Sequence, residues 1–261
     1  MLEPNKPDDQ LPPNPDNLPV ATHAEWSIMD LIVFSVFFGL TVVFLPLGAF
    51  YVMRTFRPGL RIEDLTTVEQ IVLQGVMDLV LVGFIMFLVK GVHGRRFLET
   101  IHWYRQHPFN TGSLISLGAT LAITVLLVSA LFPSPQQTPI EKLITSSRSL
   151  YVFALFGIAV APLFEEIIFR GFLFKVFEDM YSRKLAVPVT ATLFALLHAI
   201  QLWGNLAAIG LIFVVGYILA LLRARSGSLI PSWIVHTSYN AMLFGMYAIS
   251  TIVQKGVVRP N

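Results

Sequence analysis

The sequence has no cysteine, which excludes disulfides, thiolate metal sites and a cysteine nucleophile together. Charge is scarce as well. Only 13% of the residues are Asp, Glu, Lys or Arg, against roughly 25% in ordinary soluble domains. A net charge of +2 is too small for a nucleic-acid partner, and the basic residues sit in short clusters between apolar runs rather than along one face. There is no His-Glu-x-x-His helix, no strained nucleophile turn around Ser232 or Ser238, no internal repeat, and no loop long enough for a soluble domain. Residues 1–24 are rich in Pro, Asp and Asn and lack a basic stretch leading into a short apolar one. They are expected to be a disordered tail rather than a signal peptide.

What the chain has instead is apolar sequence: 55% hydrophobic residues and a mean hydropathy of +0.69, the composition of an integral membrane protein. A bilayer core of about 30 Å needs about 20 helical residues. Runs of that order lie at Leu31 to Met53, Ile71 to Val89, Ser113 to Phe132, Leu150 to Phe174, Leu185 to Trp203, Leu206 to Leu222 and Leu229 to Ile252. The predicted fold over 25–261 is therefore all-α, a polytopic transmembrane helical bundle of seven to eight spans around a polar intramembrane cavity. The amphipathic stretch Phe97 to Phe109 is expected to lie in the membrane interface, and Ile140 to Ser149 to do the same or to add a partial span. The Lys and Arg bias, in which Lys175 and Arg223 are counted, puts the N-terminus and the loop around Ser182 in the cytoplasm.

Three charges break the fourth run. Pro162 to Gly171 places Glu165, Glu166 and Arg170 at membrane depth, where each ionisable side chain costs at least about 2.5 kcal/mol unless it faces protein or water and finds a partner. Glu166 and Arg170 are four apart, with the acid first, the favourable order for a helical ion pair. Glu165 lies about 100° round the helix, away from Arg170 and free for chemistry. Asp78, in the second run, has no evident partner at helical spacing and is read as structural or as lining the same cavity.

Two histidines lie inside spans, each with a neighbour four residues away on the same face: Phe194 with His198, and His236 with Asn240. A desolvated carboxylate is a competent base for water. His198 can hold that water, and His236 with Asn240 can donate to an oxyanion. Glu165, His198 and His236 also have the donor types of some zinc hydrolases, so the cofactor is either none or a divalent metal such as zinc. The metal-free route fits better because the Asn240 amide is a better oxyanion donor than ligand.

In this order, Glu165-Glu166-x-x-x-Arg170, Phe194-x-x-x-His198 and His236-x-x-x-Asn240 resemble the CPBP family (CAAX protease and bacteriocin-processing, also called ABI), which includes the type II CAAX prenyl endopeptidases. The resemblance runs from about Leu150 to Ile252, the motif core (150–252), and takes in Phe169-Arg170-Gly171-Phe172 and Gly227-Ser228-Leu229-Ile230-Pro231. It implies an intramembrane endopeptidase with a conical cavity open to the cytosol. Glu165 and His198 would activate water, His236 and Asn240 would form the oxyanion hole, and Glu166, Arg170 and Phe194 would support them. The implied partners are the lipid bilayer, that of the plasma (inner) membrane, and a protein or peptide that is lipidated or otherwise membrane-associated. Two other readings stay open: a proton-coupled transporter with Glu165, Asp78 and the histidines as a relay, and a non-enzymatic immunity-like scaffold. Asn240, which has no titratable proton, counts against the relay.

Overall fold

The structure is a computed structural model that describes residues 26–132 and 147–257, with the backbone alone for 147–150 and 251–257. The expected tail at 1–24 and most of the stretch from Ile140 to Ser149 lie outside the described residues. The described residues are helical, with no strand among them.

Helix α1 (Ile28–Phe56) starts at a capping box in which Ser27 and Asp30 satisfy each other's orphan backbone amides. Helix α2 (Thr67–Phe87) starts the same way at Thr66 and Glu69 and runs on through wider turns over Leu88–Val92. Helix α3 is a single turn, Phe97–Thr100. Helix α4 (Thr111–Ala130) is capped by the Asn110 side chain. Helix α5 is a continuous run of five segments: Ser147–Leu155, Phe156–Val160, Ala161–Glu166, Ile167–Leu173 and Phe174–Met180. Its second and fourth segments are π-helical. Helices α6 (Arg183–Ala199), α7 (Leu206–Ser226) and α8 (Ile230–Val257) complete the bundle. Gly227, at φ +66°, takes the left-handed conformation that ends α7 and lets the chain turn into α8.

Helices occupy all seven expected places. Among the described residues, five are long and apolar enough to cross a membrane: Ile28–Phe56, Thr67–Val92, Thr111–Ala130, Tyr151–Met180 and Leu206–Ser226. Helix α6 has 17 residues, about 25 Å at 1.5 Å per residue, and it ends before Trp203. Helix α8 carries the polar face of Ser232, His236 and Asn240. The outward faces are apolar, as on Phe44, Leu47, Val52 and Phe87, because the surrounding solvent is hydrocarbon.

Helix α5 is the central element. Every residue from Ile167 to Phe174 is buried, the charged Arg170 included. Around it a core gathers Trp26, Phe34, Ile85, Phe172, Phe194 and Leu229. Two glycines set the closest approaches. A Cβ on Gly118 would lie 2.5 Å from the Val235 carbonyl, so α4 and α8 touch backbone to backbone there. A Cβ on Gly216 would lie 3.1 Å from the Phe194 ring, which brings α7 against α6 at the site described below.

Tertiary docking adds contacts that two expectations did not include. Phe97 to Phe109 forms a single helical turn, Phe97–Thr100. After one turn the chain packs into the bundle through buried Ile101, and His102 donates from Nδ1 to the Gly227 carbonyl at 3.2 Å while accepting the Leu229 amide at 2.9 Å. Trp103 lies 5.4 Å from Trp233. Arg223, counted above among the topology-setting cations, is 1% exposed and does not face headgroups, and Lys175 bonds Asp179 at 2.6 Å.

Candidate active site

Glu165 and Glu166 end an α-helical segment of α5, and Arg170 lies in the π-helical segment that follows. Such wider turns are rare and concentrate at functional sites. The two acids part company as their angular offset requires: Glu166 is fully buried, whereas the Glu165 side chain is 30% exposed. Arg170 Nη1 stands 3.1 Å from Glu166 Oε1, and Nη2 donates to the Gly216 carbonyl of α7 at 3.0 Å. Its guanidinium lies 4.6 Å from the centre of the Phe194 ring, a desolvated cation–π contact.

Helix α8 brings His236 between the two acids. Its Nδ1 donates to Glu166 Oε1 at 2.9 Å, and its Nε2 stands 3.6 Å from Glu165 Oε2. The first contact is a hydrogen bond and fixes the ring. The second is too long for one and leaves Glu165 free to turn towards a substrate or a water. His236 itself is 4% exposed.

Helix α6 contributes Phe194 and His198. His198 donates from Nδ1 to the Phe194 carbonyl at 2.9 Å, which leaves Nε2 as the acceptor of the neutral ring. The Phe194 ring is the shared surface, 4.6 Å from the His198 ring and 5.9 Å, edge-on, from the His236 ring. No hydrogen bond or ion pair joins His198 to Glu165 or His236 among the described residues; the Phe194 ring contacts both imidazoles. Asn240, one turn beyond His236, donates from Nδ2 to the Gly157 carbonyl at 2.7 Å, within the first π-helical segment of α5. One of its two amide hydrogens remains for another acceptor.

The sequence reading had no partner for Asp78, yet Gln74, four residues earlier, donates to Asp78 Oδ1 at 2.8 Å. Asp78 and Glu165 also interact electrostatically. It likewise passed over the Gly216 carbonyl and Arg223, whose Nε donates to the Arg170 carbonyl at 3.2 Å. A cation one turn before a helix-ending glycine was the available signal for Arg223, but the same signal marks a cytoplasmic flank. As for metal, no three His, Asp or Glu side chains among the described residues are gathered so as to hold an ion. Glu165, His198 and His236 are not gathered as a ligand set in this arrangement.

A bundle with five helices long and apolar enough to cross a membrane, among the described residues, is an integral membrane protein, and an acid–imidazole cluster lies among its buried helices. Residues 147–242 match the family model described as type II CAAX prenyl endopeptidase Rce1-like, so this part of the chain is similar to that family. The matched stretch contains every residue of the three motifs. Among curated proteins, the chain is 29% identical over 138 residues to an "Uncharacterized 24.3 kDa protein" of Escherichia coli, covering 51% of this chain and 63% of that one. It is 26% identical over 155 residues to "UPF0177 protein YxdF" of Lactococcus lactis, covering 59% of this chain and 80% of that one. No solved structure matches the chain.

Proposed function

We infer that the protein is an intramembrane endopeptidase that hydrolyses a peptide bond in a membrane-associated, lipidated protein or peptide. The observation that carries this reading is the division between two adjacent acids. Glu166 is consumed by Arg170 and His236, while Glu165 keeps a partly open carboxylate beside the His236 ring.

In this mechanism Glu165 takes a proton from a water molecule as the water oxygen attacks the scissile carbonyl carbon. The His198 Nε2 accepts the water's other hydrogen and orients it. The carbonyl π electrons move onto oxygen, and the resulting oxyanion is met by the second Asn240 amide hydrogen and by His236 Nε2, which donates when the ring carries both protons. Collapse of the tetrahedral intermediate breaks the C–N bond, and the departing amine takes the proton held on Glu165. Phe194 and Arg170 keep the rings and the buried acid in register and exclude water from behind them. The working membrane is the plasma (inner) membrane, with the N-terminus on the cytoplasmic side.

The test uses purified protein in detergent and a farnesylated peptide with a C-terminal CAAX-type sequence as probe. Wild type is expected to release the terminal tripeptide, and Glu165→Gln to lose turnover while staying folded. Equal turnover by the variant removes Glu165 as the base, and no cleavage by wild type refutes the prenyl-peptide reading.

A further inference from the structure

Arg223 lies outside the three motifs, and none of the chemistry above uses it. It is 1% exposed near the end of an apolar helix, a costly place for a guanidinium. Three observations show how it is held. Its Nε donates to the Arg170 carbonyl at 3.2 Å, its guanidinium carbon lies 5.2 Å from the centre of the Phe174 ring, and its Nη2 has no hydrogen-bond partner among the described residues. Glu178 and Arg183 act on it electrostatically.

The partner atom gives the contact its meaning. Gly216 and Arg223 are seven residues apart on α7, two turns along one face, and both act on the same residue of α5. The Gly216 carbonyl accepts from the Arg170 side chain, and the Arg223 side chain donates to the Arg170 carbonyl. Arg170 is thereby gripped at both its main chain and its guanidinium. It lies in the π-helical segment Ile167–Leu173, whose register is less favourable than that of an α-helix, so the segment depends on bonds from outside. Beyond Arg170 the contacts continue to Glu166 and from Glu166 to His236.

We propose that Arg223 is a positioning residue for the active site: by bonding the Arg170 carbonyl it holds the π-helical segment of α5 in the register that aims Arg170 at Glu166 and, through Glu166, orients His236. This rests on the peptidase reading for its consequence in turnover, but the geometric claim can be tested separately. Supporting groups of this kind, behind the reacting ones, decide whether a site is held to sub-ångström tolerance.

Wild type, Arg223→Met and Arg223→Lys are compared in detergent by two readouts. One is kcat and KM for the farnesylated peptide. The other is hydrogen–deuterium exchange at the imidazole C2 of His236, read by mass spectrometry with His107 as internal reference, which needs no turnover. Arg223→Met is expected to lower kcat about tenfold per folded molecule, since small misplacements near reacting atoms cost that much or more, with KM within about twofold. Lysine, which keeps a donor and the charge, is expected to restore kcat to within about threefold of wild type. His236 exchange is expected to change at least about twofold in Arg223→Met, with His107 unchanged.

A folded Arg223→Met protein with wild-type kcat, or with wild-type His236 exchange, overturns the proposal. If wild type fails to cleave the probe, the peptidase reading fails and the exchange measurement alone decides the role of Arg223. If Arg223→Met cannot be recovered folded, Phe174→Leu removes only the ring beneath the guanidinium. It is expected to change His236 exchange in the same direction, and no change overturns the proposal.

Discussion

Replacing Arg170 by alanine should destabilise the protein far more than replacing Glu165 by glutamine, although the two residues are five apart on one helix. Arg170 is fully buried, 3.1 Å from the equally buried Glu166 and bonded to the Gly216 carbonyl at 3.0 Å. Breaking a buried pair by removing one partner costs about 3–5 kcal/mol, because the other charge is left uncompensated. The freed Gly216 carbonyl adds about 1 kcal/mol. His236, already donating to Glu166 at 2.9 Å, stays behind as a partial replacement partner, which argues for the low end, about 4 kcal/mol in all. For a chain of this size each kcal/mol moves the midpoint by about 2–4 °C, so the expected fall is about 8–16 °C. The Glu165 side chain is 30% exposed and has one contact at 3.6 Å, so Glu165→Gln should cost under about 1 kcal/mol. Intrinsic tryptophan fluorescence in one detergent, at one heating rate, provides the comparison, since unfolding of such a protein is operationally a rate as much as an equilibrium. Midpoints within 2 °C of each other, on the order of a single kcal/mol, would refute the assignment of Glu166 as the structural acid and Glu165 as the free one.

Glu165→Gln should abolish cleavage of the farnesylated peptide, read by chromatography of the released tripeptide, without loss of folded protein. Gly118→Ala should lower the midpoint, because its Cβ would meet the Val235 carbonyl at 2.5 Å and backbone overpacking costs about 1–3 kcal/mol; Gly39→Ala, with nothing within 4 Å, should be neutral or stabilising by about 0.4–1 kcal/mol. His102, in the loop before α4, has its imidazole pushed down to about 4 by burial and by the nearby cations Arg223 and Lys175. The folded state therefore holds fewer protons than the unfolded chain between about pH 6.5 and pH 4, and the contribution of His102 to stability, full above that window, is lost as pH falls through it. Midpoints measured from pH 7 to pH 4 should fall less steeply in His102→Gln than in wild type, and parallel curves would contradict this.

How much of this was legible beforehand follows from the range of each interaction. Hydrophobic run lengths are local, so all seven helix positions could be read, although α6 ends short of Trp203. The contact between Glu166 and Arg170 is also local, a consequence of four-residue spacing, and the structure has it at 3.1 Å. The partnership of Gln74 with Asp78 has the same spacing and was still overlooked, because an amide is a weaker signal than a charge. The docked loop at Ile101 to Tyr104 was not legible. Its amphipathic pattern fits an interface as well as it fits a groove between α7 and α8.

By itself the sequence determined an all-helical membrane bundle, from apolar runs long enough to span hydrocarbon, and the identity of its candidate chemical groups, from the cost of placing charge there. Only the tertiary structure decided which of those groups meet. It set His236 between two acids, put the Phe194 ring against both imidazoles, turned one Asn240 hydrogen to the Gly157 carbonyl, and moved Arg223 from an expected flank to the Arg170 backbone. The physical reason is that spacing along a helix fixes a side chain's face but not the neighbour that face will find. That depends on helix approach, set here by glycines at Gly118 and Gly216, and on the π-helical register of α5.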